Sequence, residues 1–109
     1  MEQARYAAHF KFSSLAKFCE KDLEVLDEGR RIYRHCLVDD FEFDKKTGLL
    51  YGYVWTDEKE KVGVELKIHE EYGVVDAHCQ CHKGKQLCEH QAAVLTAAVV
   101  ANSKKIETS

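Results

Sequence analysis

Two spacings of apolar residues divide the chain. From Ser13 onward, Leu15, Phe18, Cys19, Leu23 and Leu26 recur at helical spacing, with Ser13 or Ser14 placed to cap the start and Gly29 placed to end it. That spacing predicts an amphipathic N-terminal helix whose Glu20, Lys21, Glu24 and Asp27 face water. After Gly29 the interval falls to two. Residues 32–43, 49–56, 62–69 and 74–79 are rich in β-branched and aromatic side chains and separated by short polar turns, which predicts an antiparallel meander. Residues 62–69 give the clearest strand, with apolar positions alternating with small or charged ones, so that one face is buried and the other wet. The run Glu89 to Val100 is apolar on nearly every side, which predicts a second helix covered by the rest of the chain or by something outside it. Residues 1–12 alternate weakly and suggest no more than a short strand.

Turn lengths specify a pairing that can be tested. With residues 57–60 as a four-residue loop, Trp55 pairs with Val62, Tyr53 with Val64 and Tyr51 with Leu66, gathering aromatic and aliphatic side chains on one face. A three-residue turn at Lys46-Thr47-Gly48, with Gly48 left-handed, sets Phe43 against Tyr51 and Phe41 against Tyr53. In this register the Tyr51, Tyr53, Trp55 stripe belongs to the core rather than to a base-stacking platform. A loop at residues 70–73 then turns Val75, Ala77, Cys79 and Cys81 toward the same buried face. The expected fold is α+β: an antiparallel meander of three to four strands with an N-terminal and a C-terminal helix, and a clasp between the last strand and the last helix formed by the cysteine- and histidine-rich segment 79–90. The expected layout of residues 1–109 is one domain, with the sheet in 30–81, the metal knuckle in 79–90, the last helix in 88–102 and a polar tail in 103–109.

Composition narrows the function. The 109 residues, 45% of them apolar, suit one domain with a small core that a metal staple would help. A net charge of −3 excludes a broadly basic surface, so contact with nucleic acid would need a local patch. No apolar run reaches the roughly 18–20 residues that span a bilayer. Five cysteines, an odd count, with no secretory-type apolar leader predict an intracellular, reducing setting in which thiolates bind metal.

The chemistry concentrates in Cys79-x-Cys81-x6-Cys88-x-His90. Residues two apart on a strand point the same way, so Cys79 and Cys81 share an ion with Cys88 and His90 if the Lys83-Gly84-Lys85 loop folds the second pair back. Three thiolates and an imidazole favour zinc over hard cations, and four protein ligands leave no position for a substrate water. The site is therefore expected to be structural. Lys83 and Lys85 offset the net −1 of ion and thiolates. His78 and His82 adjoin ligands and are alternative donors, with an exposed or supporting place expected for both. Cys19 and Cys36 read as packing residues, His9, His35 and His69 have no evident partner, and Glu89 has no open coordination position to serve as a base.

This pattern, followed by Gln91-Ala92-Ala93-Val94-Leu95, resembles the SWIM zinc finger: C-x-C, a variable loop, then C-x-H leading into a helix of small residues. The resemblance implies zinc held by Cys79, Cys81, Cys88 and His90, and a module that contacts DNA or a protein, of the kind found in transposase-derived and chromatin-associated proteins. Its setting would be nuclear in a eukaryote. The expected contact residues are His82, Lys83 and Lys85 with the start of the last helix, and Lys104 and Lys105 lie beyond. The acidic turns at residues 57–60 and 70–71 count against DNA. A redox-sensing zinc module is the alternative. An enzyme is not expected, since no carboxylate pair, nucleophile triad or phosphate-cradling glycine loop is present, and no small-molecule substrate is implied.

Overall fold

The computed structural model describes residues 9–44, 46–56, 59–81 and 88–108, with side chains to residue 102. Two short helices come first, α1 (Phe12–Phe18) and α2 (Leu23–Arg34). Four strands follow, β1 (Val38–Asp44), β2 (Leu49–Trp55), β3 (Lys61–His69) and β4 (Gly73–Cys79), hydrogen-bonded in chain order and all antiparallel. A long helix, α3 (Glu89–Thr108), closes the chain. The expected α+β meander with flanking helices is the architecture observed.

The N-terminal helix is two helices rather than one. The first ends at Cys19, whose amide bonds to the Leu15 carbonyl, and α2 starts after Asp22. Both bury residues in one core, Leu15 and Cys19 from the first segment and Val25 and Ile32 from the second, so a helical interval carries across the break. Leu23, which that interval placed on the stripe, is 62% exposed.

Gly29 does not end a helix either. It lies inside α2 against α3, where an added Cβ would meet the Ala92 Cβ at 2.5 Å and Ala92 and Ala93 backbone at 2.9 Å. Glycine is there for close helix approach. The helix runs on to Arg34, and Cys36, at φ 60, turns the chain, so the sheet begins at Val38 rather than near residue 30.

The sheet register differs from expectation by one residue on β2. Leu50 pairs with Leu66, Gly52 with Val64 and Val54 with Val62, which sets Tyr51 opposite Glu65, Tyr53 opposite Gly63 and Trp55 opposite Lys61. The connection spans residues 56–60, closed by the Thr56 amide on the Glu60 carbonyl at 2.8 Å, one residue longer than the four-residue loop. A one-residue slip exchanges the faces of a strand. Leu50 and Val54 are accordingly 0% exposed, whereas Tyr51, Tyr53 and Trp55 are 37%, 43% and 37% exposed. The cause lies in α3, which sits on the inner face: at Gly52 an added Cβ would come 2.9 Å from the Phe41 Cβ and 3.5 Å from Val94 Cγ1. Tyr51, Tyr53 and Trp55 turned to that face would hold the helix away.

On β1, Phe43 faces Leu50 and Glu42 faces Tyr51, with a bulge at Asp40–Phe41 where Asp40 takes φ 49. Gly48 is left-handed, as the turn requires. On β4 a second bulge expels Val75, which is 51% exposed, and leaves Val74, Ala77 and Cys79 against the core. Thus Ala77 and Cys79 face inward as predicted and Val75 does not.

α3 is buried on several sides. Ala92, Ala93, Val94, Leu95 and Val99 are fully buried, covered by α2 on one flank and the sheet on the other. Helix geometry continues to Thr108 through the stretch expected to be a polar tail. At the other end of the chain, Phe10 packs edge-on to Phe43, and its carbonyl accepts from Asn102 Nδ2 at 3.1 Å. No described helix is long and apolar enough to cross a membrane.

Candidate metal centre

The first two ligands are delivered by the end of β4. Cys79 pairs with Val64 and so faces inward with it. Gln80 takes the outward position and bonds to Gly63 twice, its amide donating to the Gly63 carbonyl at 2.9 Å and its Oε1 accepting from the Gly63 amide at 2.8 Å. This extra rung holds the chain extended past the strand end, so Cys81 returns to the inner side beside Cys79, whose sulfur accepts from the Cys81 amide at 3.5 Å. Glycine at 63 leaves room for the Gln80 side chain, since a Cβ there would lie 3.0 Å from Gln80 Oε1.

The second pair belongs to the start of α3. Cys88 stands immediately before the helix, and its carbonyl accepts the first helical bond, from Ala92 at 3.2 Å. Its sulfur accepts from the amides of His90 and Gln91, while Gln91 Oε1 accepts from the Cys88 amide at 3.1 Å. This is a reciprocal capping box with sulfur in place of a serine or threonine hydroxyl. Gln91 is 1% exposed, so its amide group is committed to this role. Helix amides and the helix dipole both favour a thiolate at this position.

All four candidate ligand atoms lie within 4.8 Å of one another, and Cys79 Sγ is 3.6 Å from His90 Nδ1. A tetrahedral zinc with bonds of about 2.3 Å to sulfur and about 2.0–2.1 Å to nitrogen has S···N edges of roughly 3.6 Å and S···S edges of roughly 3.8 Å. The cluster therefore fits the ion with small adjustments. Cys88 and His90 are 2% and 7% exposed and Cys79 and Cys81 are half-buried, so the centre faces the interior with one open flank. A hydrogen bond from the Cys79 thiol holds Cys88 well below the ordinary thiol range, assisted by His90 and the helix amides, and donating that bond raises Cys79, as burial also does. Zinc binding takes up the sulfur lone pairs and displaces this proton. Four protein ligands fill a tetrahedron, which is the arrangement of a structural site.

The neighbouring histidine His78 points to the outer face, where its Nε2 lies 3.0 Å from Asp76 Oδ2, and is outside the cluster. His82, Lys83 and Lys85, expected at a partner contact, lie outside the described residues. Cys19 is buried, and burial followed by the nearby Asp22 pushes its thiol up to about 11, as suits a packing residue. Cys36, also expected to pack, is exposed in the turn after α2. His9 and His69 do have partners: His9 Nε2 lies 2.8 Å from the Glu70 carbonyl, and His69 accepts from the Glu71 amide at 3.0 Å and stacks on Tyr72. His35 caps the end of α2.

The corrected register exposes a second surface. On the outer face Lys61 Nζ stands 3.2 Å from Asp39 Oδ2, with the Trp55 and Tyr53 ring centres at 5.0 and 5.7 Å. Trp55 Nε1 donates to Asp39 at 3.4 Å, and the Tyr51 hydroxyl donates to Glu42 at 2.7 Å, which raises the Tyr51 pKa. Strand alternation could not reveal this surface, because both faces of β2 are apolar in composition.

The SWIM zinc finger family model matches residues 60–99, a span that takes in β3, β4, the four ligands and the first half of α3. No curated protein and no solved structure matches the chain.

Proposed function

We propose, with residues 60–99 identified as a SWIM zinc finger, that the chain is a zinc-stabilised binding module that engages a protein partner and performs no chemistry on a small molecule. The observation that carries this reading is the completeness of the ligand set: three sulfurs and one imidazole join a strand end to a helix start and leave no position for a substrate. The ion's work is to hold two elements together. Thiolate ligation of this kind suits a reducing, intracellular compartment.

SWIM fingers serve DNA or protein recognition, and the described surface favours protein. The outer aromatic row is interleaved with Asp39, which Lys61 pairs, and with Glu42 and Glu65, which repel phosphate. The DNA reading rests on Lys83 and Lys85 in the ligand loop. The redox-sensing alternative, in which Cys79 and Cys81 oxidise and release zinc, has the half-buried position of those two sulfurs in its favour and the burial of Cys88 against it. Titration of the zinc-loaded chain with duplex and single-stranded DNA at low and physiological salt is the test. The expected outcome is no salt-dependent affinity. Binding that falls steeply with salt and is weakened by Lys83→Ala would transfer the function to nucleic acid.

A further inference from the structure

We propose that the outer face of the sheet, opposite the zinc, is a docking groove for a lysine- or arginine-bearing segment of a protein partner. The inference rests on the protein-binding reading and assigns that function a surface and a ligand chemistry. A shallow groove of about 340 Å³ crosses the sheet there. Tyr51 and Tyr53 of β2 form one side, His78 and Gln80 form the other, and Gly63 and Glu65 of β3 lie between.

Three observations choose the occupant. The chemistry is that of a cation site: aromatic faces attract an ammonium or guanidinium, and carboxylates beside them add charge. The Tyr51 hydroxyl is fixed on Glu42, which leaves the ring standing at the groove edge and the carboxylate charge in place. Among the described residues, Glu65 makes no ion pair.

The protein itself supplies the precedent. Two rungs along the same face from the Tyr51–Glu65 pair, Lys61 lies over Tyr53 and Trp55 and bonds to Asp39, so this face already accommodates a lysine by ring contact and carboxylate together. The Tyr51–Glu65 end offers the same pairing of groups, with Lys67 next on that face of the strand but no ion pair to Glu65 among the described residues. An acidic peptide or a phosphate backbone would meet Glu42 and Glu65 as like charges.

The groove is also coupled to the metal. Its Gln80 wall stands between the ligands Cys79 and Cys81, and its bonds to Gly63 fix the floor. Zinc on the inner side thereby holds the outer wall in register.

Calorimetric titration of the zinc-loaded chain at physiological salt tests the proposal, using an eight-residue peptide of alternating lysine and alanine, its fully lysine-acetylated form, and a single-stranded octanucleotide. The expected result is binding of the lysine peptide alone, weakened about three- to tenfold by Tyr51→Ala and by Glu65→Lys and retained by Tyr51→Phe. Glu71→Lys makes the same charge change on the β3–β4 turn and is expected to alter affinity less than about twofold, since exposed charges are screened beyond about 8 Å. Zinc content and helix signal accompany each variant, so a folding defect is recognised, and chelation is expected to abolish binding. Absence of lysine-peptide binding, equal losses from Glu65→Lys and Glu71→Lys, or full affinity in Tyr51→Ala overturns the groove while leaving the protein-binding module standing. Preference for the oligonucleotide overturns both.

Discussion

The two faces of β2 are made from alternate residues of one seven-residue strand and are built for opposite purposes. Inward lie Leu50, Gly52 and Val54, a low surface on which α3 rests; outward stand Tyr51, Tyr53 and Trp55, three large rings in contact with water. Hydrophobicity alone would assign the larger side chains to the core, because they have more apolar area to bury. Shape decides otherwise. A long, small-residue helix needs a shallow seat, and the glycine at its centre lets Val94 and Phe41 share the space. Burial here follows the available depth rather than the amount of apolar surface, and the displaced aromatics become available for recognition.

Breaking the attachment of α3 to this inner face should have the largest effect. Cys88→Ala removes one zinc ligand and the helix cap together, and is expected to abolish stoichiometric zinc in metal analysis and to cost on the order of several kcal/mol in urea unfolding. Because the ligands bind as thiolates and neutral imidazole, acidification works in the same direction: zinc affinity falls as pH is lowered. A smaller effect is expected from filling the seat. Gly52→Val forces a β-branched side chain between Phe41 and Val94 and is expected to destabilise the fold by about 1–3 kcal/mol with zinc still bound. The smallest belongs to the outer face, where Tyr53→Ala is expected to change stability by less than about 1 kcal/mol. A larger loss in thermal denaturation for Tyr53→Ala than for Gly52→Val would show that the ring is part of the core and would reverse the comparison.

The metal centre was legible in the sequence because its information is local. Cys79, Cys81, Cys88 and His90 fall within twelve residues, and strand alternation followed by a helix start suffices to bring them together. The helix cap was partly legible too: Cys88-x-x-Gln91 has the spacing of a capping box, hidden because sulfur replaces the usual hydroxyl. What could not be read locally was anything set by a neighbour. Gly29 looked like a helix stop, yet its role depends on Ala92 more than sixty residues away. The β2 register depended on one loop residue and on the depth required by α3, and neither leaves a trace in alternation when both faces are apolar. The Gln80–Gly63 rung was missed for the same reason, since the two residues are separated by a complete hairpin.

Cys88 also joins two ordering costs in one residue. Starting a helix is its least favourable step, because several residues must be fixed before the first backbone bond rewards them. Here the residue that offers its sulfur to the ion is also the one whose carbonyl receives that first bond, from Ala92. Zinc held by the strand-borne sulfurs and Cys88 therefore offsets part of the cost of fixing that first turn, so metal ligation and the start of α3 stabilise each other.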